Sequence, residues 1–176
     1  MIRRFLLLLF TVVLLAGCSS VKIEDFAAEK PALDISTYFN GVIDAWGVVR
    51  NRDGSISQRF TVVIRGTWQA DTGTLDETFS YSDGHTQKRV WTFRKSGASY
   101  VGTAADVVGE AIGQTSGNAF RMRYVLDFPY SGTSTLHLDV DDWMYLIDDK
   151  TLLNRSSITK LGFDVASVFI SFRRRD

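Results

Sequence analysis

From residue 41 onward the chain alternates apolar and polar side chains with a period of two, and turn-forming residues interrupt the alternation repeatedly. Successive side chains on a strand point to opposite faces, whereas a helix repeats every 3.6 residues. A chain patterned this way forms half-buried strands, and no convincing amphipathic helix is legible after residue 40. The pattern predicts strands at about Val42–Asn51, Ile56–Trp68, Thr74–Tyr81, His85–Lys95, Tyr100–Val108, Gly109–Gly117 and Asn118–Phe128. Four more follow at about Thr135–Asp141, Trp143–Asp148, Leu152–Lys160 and Val165–Arg173.

The faces can be followed from strand to strand. Phe60, Val62, Ile64, Gly66 and Trp68 share one face of the second strand, and Leu75, Glu77, Phe79 and Tyr81 one face of the third. Asp83-Gly84 is the strongest hairpin signal, because Gly tolerates the positive φ that tight turns require. A two-residue loop there would set Leu75 opposite Thr92 and send Trp91 to the other side. A three-residue loop, Ser82-Asp83-Gly84, sets Leu75 opposite Trp91 and keeps the apolar faces together. The three-residue loop is therefore expected, with Gly84 in the left-handed position of a bulge. It also sets Arg89 opposite Glu77.

Short strands joined mostly by tight turns imply an all-β antiparallel barrel or sandwich. Hairpin connectivity favours an up-and-down barrel of about eight to ten strands, since closure removes exposed edges. Such a barrel can enclose one small ligand. The interior set leans toward aromatics: Trp46, Phe60, Trp68, Phe79, Trp91, Phe93, Phe120 and Tyr124. Close packing makes a filled interior the default expectation.

Residues 1–17 read as an export signal. Arg3 and Arg4 precede a run from Phe5 to Ala16 that is apolar except for Thr11. That run falls short of the roughly 20 residues a spanning helix needs. It ends in Leu15-Ala16-Gly17-Cys18, which resembles the bacterial lipobox. The Cys18 thiol is then the group that accepts a diacylglycerol, and cleavage makes it the acylated amino terminus. Acyl chains contribute about 0.8 kcal/mol per buried CH₂, and two or three of them hold a protein at a membrane. Ser19 rather than Asp follows the cysteine. In the sorting rule of such lipoproteins this favours the outer membrane, facing the periplasm. Residues 18–37 are expected to be a lipidated tether and 38–176 the barrel. Tyr38 and Phe39 are expected to pack against one end of the barrel.

Without residues 1–17 the chain has 18 basic and 20 acidic residues, a net charge of −2. Nucleic-acid binding, which needs a basic surface, is not expected. The 159 residues left suit one domain that buries roughly two-thirds of its unfolded surface. One cysteine excludes an internal disulfide and a Cys-cluster metal site, and two histidines leave little room for histidine metal chemistry. No cofactor is expected. Neither His85, beside a turn, nor His137, on a polar face with Asp139, accompanies a nucleophile-elbow pattern, so no catalytic residue is assigned. Asp139, Asp141, Asp142, Asp148 and Asp149 form an acidic cluster that lacks EF-hand spacing and reads as a solvated turn. Glu77 stands apart, because a carboxylate on an apolar face must be paired or protonated. With Arg89 opposite it, two readings stay open: a polar handle for a ligand head group, or a structural ion pair near the rim. Asp44, sharing a face with Trp46, carries the same two readings. Arg173-Arg174-Arg175 reads as a solvated tail.

A family resemblance rests on Tyr38-Phe39-Asn40-Gly41, Ala45-Trp46-Gly47, Gly66-Thr67-Trp68, Thr72-Gly73-Thr74-Leu75-Asp76-Glu77, Arg89-Val90-Trp91-Thr92, Gly117-Asn118-Ala119-Phe120 and Asp141-Asp142-Trp143-Met144-Tyr145-Leu146. In this order they resemble a bacterial lipoprotein family, domain of unknown function 3833, over roughly residues 35–174. The resemblance implies a lipocalin-like barrel of a kind that binds hydrophobic small molecules, and no catalytic residues. The expectation is a membrane-anchored, non-enzymatic barrel that binds or carries a fatty acid, a modified lipid or a similar apolar ligand. Its expected ligand contacts are Trp46, Phe60, Trp68, Glu77, Phe79, Arg89, Trp91, Phe93, Phe120 and Tyr124. The alternative is a structural or interaction lipoprotein of the cell envelope.

Overall fold

Period-two patterning and short hairpins fold this chain into a ring. The computed structural model describes residues 20–176. The strands are β1 (Gly41–Asn51), β2 (Ile56–Gln69), β3 (Thr72–Tyr81), β4 (Thr86–Ser96), β5 (Ser99–Thr103), β6 (Val107–Ser116), β7 (Ala119–Ser131), β8 (Ser134–Leu146), β9 (Thr151–Lys160) and β10 (Phe163–Arg174). Each pairs antiparallel with its sequence neighbours, and β1 pairs with β10 to close the barrel. Closure leaves no edge strand among the described residues. The expected signal peptide, residues 1–17, and Cys18 lie outside the described residues.

The β3–β4 register sets Leu75 opposite Trp91 and Glu77 opposite Arg89. Ser80 pairs with Thr86 and Gly84 has φ +91°, so the hairpin turns through Ser82-Asp83-Gly84 as expected. The described residues form ten strands where the pattern marked eleven segments, because two of those segments merge; one further boundary moves. The expected strands around Asp141 and Trp143 are one, β8. Its acids do not break it: Asp141 points outward to Arg121 on β7, whose Nε and Nη2 donate at 2.7 and 2.8 Å, while Asp142 points inward. The acidic cluster is thus not one solvated turn, and only Asp148 and Asp149 lie in the β8–β9 connection. The expected strand Tyr100–Val108 stops at Thr103, where the Val107 amide donates to the Ala104 carbonyl at 3.1 Å. Val107 and Val108 then open β6.

One end of the barrel is stoppered by the segment that precedes it. Ile35–Tyr38 forms a single helical turn, α1, and the Asp34 side chain accepts from the Thr37 amide at 3.1 Å to cap it. Ile35, Tyr38 and Phe39 are buried, as expected for the last two. Phe39 meets Phe172 edge to face with ring centroids 5.8 Å apart, and the Tyr38 hydroxyl donates to the Lys150 carbonyl at 2.9 Å. Lys95 forms an ion pair with Asp34. Burial works against the Asp34 carboxylate, but hydrogen bonds from Lys95, Ser36 and the Thr37 amide win and hold its pKa at about 2. Gly66 makes the close approach possible, since a β-carbon there would lie 1.6 Å from the Phe39 carbonyl oxygen. Upstream, a 3-10 turn (Ile23–Phe26) lies on the outer wall, with the Phe26 ring 5.7 Å from Trp143 and 5.4 Å from Tyr145. Arg175 clasps Asp44 through two hydrogen bonds of 2.7 and 2.6 Å, so both lie on the exterior and the C-terminal arginines are not wholly a free tail.

Candidate functional site

The inward phase of every strand converges on the barrel axis, and the side chains do not fill it. A cavity of about 620 Å³ runs from Ile35 and Phe39 at the stoppered end to Phe128 and Pro129 toward the opposite hairpins. A filled interior was the expectation, and it is corrected here. A ring of eight strands is either just filled by side chains or holds one small ligand, and diameter grows with strand number. A ring of ten therefore leaves space.

Eight of the ten expected contact residues line this cavity: Phe60, Glu77, Phe79, Arg89, Trp91, Phe93, Phe120 and Tyr124. Trp68 also points inward but packs beneath it, stacked on Phe93 with centroids 6.3 Å apart. Trp46 is a correction: it is 50% exposed and faces outward. The phase of β1 is set by Ile43 and Ala45, which are buried, so the residue between Ala45 and Gly47 must point away. Trp46 instead borders an outer groove with Leu153 and Phe169.

A band of polar groups interrupts the apolar wall. On β4, Arg89 donates from Nε to Asp106 Oδ1 at 3.0 Å. Its guanidinium carbon stands 4.5 Å from the Trp91 ring centroid and 5.9 Å from that of Tyr124. Burial opposes the Arg89 charge, but Tyr124, Glu77 and Asp106 around it outweigh that cost and raise its pKa. Its Nη2 is buried without a hydrogen-bond partner. The expected Glu77–Arg89 register is present, but the ion pair is not: the hydrogen-bonded partner of Arg89 is Asp106, in the β5–β6 turn. Among the described residues no donor reaches the Glu77 carboxyl. Burial pushes its pKa up to about 7; Arg89 pulls against this, while Asp106, Asp142 and Asp76 add to it. The surface that Glu77 keeps faces the cavity.

Across the barrel, on β8 and β9, Asp142 is buried with Asn154 and Ser156. Ser156 Oγ donates to Asp142 Oδ1 at 2.8 Å, and the Asn154 amide donates to the same oxygen. Burial raises the Asp142 pKa, against the pull of these two donors and of Arg89. Burial also pushes the Tyr124 hydroxyl above the usual phenol range. Asp106, Asp142, Asn154 and Ser156 were not expected at the site from the sequence. For Asp142 a signal existed, the shared phase of Val140, Asp142, Met144 and Leu146; for Asp106, in a turn, there was none. No group of His, Cys, Asp or Glu among the described residues has metal-site geometry. His85 lies at the surface, stacked on Tyr81 at 4.0 Å beside Asp83. His137 Nε2 lies 3.4 Å from Asp127 on the outer wall. What the site offers chemically is an apolar chamber with carboxyl groups partway along it.

The model of a family described as "Protein of unknown function (DUF3833)" matches residues 12–174. No curated protein sequence matches the chain. Among solved structures, the barrel is similar to the S-type phycobiliprotein lyase of Guillardia theta, with a TM-score of 0.59 and 10% identity over 89% of this chain and 99% of that one. It is also similar to a de novo designed fluorescence-activating β-barrel, with a TM-score of 0.43 and 13% identity over 81% and 99% of the two chains. The lyase likeness is one of fold, and the architecture is lipocalin-like.

Proposed function

The chain belongs to the family described as Protein of unknown function (DUF3833), and from that premise we propose that it is a lipid-anchored barrel that binds or carries a hydrophobic small molecule. The observation that carries this reading is the cavity of about 620 Å³, enclosed by a closed barrel and stoppered at one end. Its volume lies within the range of pockets that bury a drug-sized ligand, and its mainly apolar lining with a few placed polar groups fits that use. The reading is of a binder rather than a catalyst. Anchoring to the outer membrane through acylated Cys18 is the second part of the proposal. Leu15-Ala16-Gly17-Cys18 supports it, and so does a family model that takes in Cys18.

Nile red, a neutral apolar dye, tests the cavity. A blue-shifted emission saturating at one dye per chain is expected. Ile170→Trp, which puts an indole into the cavity wall, should abolish it. Emission that stays at its value in water with excess folded protein would refute the binding reading. The outer groove bordered by Trp46, Leu153 and Phe169 favours the second reading, an envelope lipoprotein that docks a protein partner.

A further inference from the structure

The sequence suggested a fatty acid as ligand, and the charges inside the barrel argue against one. The charged groups at the cavity wall are one guanidinium, Arg89, and four carboxyls, Glu77, Asp106, Asp127 and Asp142. Arg89 pairs with Asp106 through its Nε, and its unpaired Nη2 has essentially no accessible surface, walled in beside Trp91 and Tyr124. Asp127 shares the outward phase of β7, and its Oδ1, which makes no hydrogen bond, lies 3.4 Å from His137 Nε2. That leaves Glu77 and Asp142, which repel each other, and among the described residues at the cavity wall the one cation near them, Arg89, is already paired with Asp106. Asn154 and Ser156 serve one oxygen of Asp142, and among the described residues no group donates to Glu77. A buried carboxylate without a partner is costly, and a guest that supplies the missing positive donor relieves that cost.

We infer that the head group this cavity accepts is a positively charged hydrogen-bond donor, an amine on an apolar body, with Glu77 as its principal partner and Asp142 as the supporting charge. The inference rests on the ligand-binding reading above. Phe79 and Tyr124 line the same chamber, and aromatic faces favour cations. A carboxylate guest would add another negative charge to a chamber that already has an excess of them. The rest of the wall is apolar: Val62, Ile64, Leu75 and Ile170 suit an alkyl or aromatic body and carry no preference for its charge.

The test uses three probes of equal chain length: dodecylamine, dodecanol and dodecanoate, each below its micelle concentration at pH 8. Each is titrated into the full chain in phosphatidylcholine nanodiscs, with empty nanodiscs subtracted. Dodecylamine should bind about tenfold or more tighter than dodecanoate, the scale of one charge-assisted hydrogen bond. Glu77→Gln should bring dodecylamine down to the level of dodecanol. Asp76→Asn, one residue away but exposed on the outer face, should leave the preference intact. Equal or tighter binding of dodecanoate overturns the head-group inference and leaves the cavity reading standing. So does an amine preference that survives Glu77→Gln. Binding of none of the three overturns the cavity reading itself.

Discussion

Glu77 is where the physical chemistry of single residues is most exposed. Its pKa is raised from 4.5 to about 7, chiefly by burial. A carboxyl raised on folding binds its proton more tightly in the native state. Its contribution is therefore fully favourable below about pH 4.5 and is lost as pH rises through 7. Glu77→Gln removes that loss. The variant should be more stable than the wild type at pH 8 by roughly 1–3 kcal/mol, with little difference at pH 4.5. Urea unfolding at both pH values checks this, and parallel pH profiles would contradict it. Asp34 has the opposite sign: its depressed pKa favours folding above about 3.8 and that advantage fades toward 2. Acid should therefore loosen the stoppered end, and Asp34→Asn should remove that part of the acid sensitivity in the same unfolding series. At this scale the sequence was informative about Glu77 and Arg89, because alternation and loop length set them face to face. It could not show that Asp106 would take Arg89, since that choice depends on where the β5–β6 turn folds over the wall. Nor was Trp46 readable from its aromatic character; Ile43 and Ala45 on its own strand decided its direction.

Among the elements, hairpins were the most legible. Asp83-Gly84 and the matching faces of Thr74–Tyr81 and His85–Lys95 were enough to set a register that the structure shares. Strand ends were less so, because an acid pair in the middle of β8 looks like a turn until its two carboxyls are seen to point opposite ways. The helical stopper α1 was only half legible: Tyr38 and Phe39 announced an apolar contact, but not that a single turn would seat over Gly66. That seat gives a direct test. Gly66→Ala forces a methyl against the Phe39 carbonyl, 1.6 Å from where its β-carbon would stand. A loss of roughly 1–3 kcal/mol is expected from such overpacking. Thermal melting measures it, with the exposed neighbour Thr67→Ala as the control. A Gly66→Ala protein as stable as the wild type would mean that α1 is not held against β2.

At the scale of the whole molecule, strand number decides what the fold can do. Ten strands close the sheet and leave room within it, more than a barrel of eight would enclose. The all-β barrel was legible because period-two patterning has few other outcomes. The cavity was not, since volume depends on how many strands join the ring and on where α1 stops. The proposed anchor belongs to this scale too. Cys18→Ala should move the protein from membrane to soluble fractions, because the acyl chains are its main hold on a bilayer. Continued membrane association of that variant would contradict the anchor. The central claim, that the chamber holds a guest, is tested most directly by native mass spectrometry of the protein purified from its own membrane. The account predicts a non-covalent adduct of one defined mass that disappears in Ile170→Trp. Spectra of the folded wild type that show only the protein and its covalent acyl groups, preparation after preparation, would contradict it.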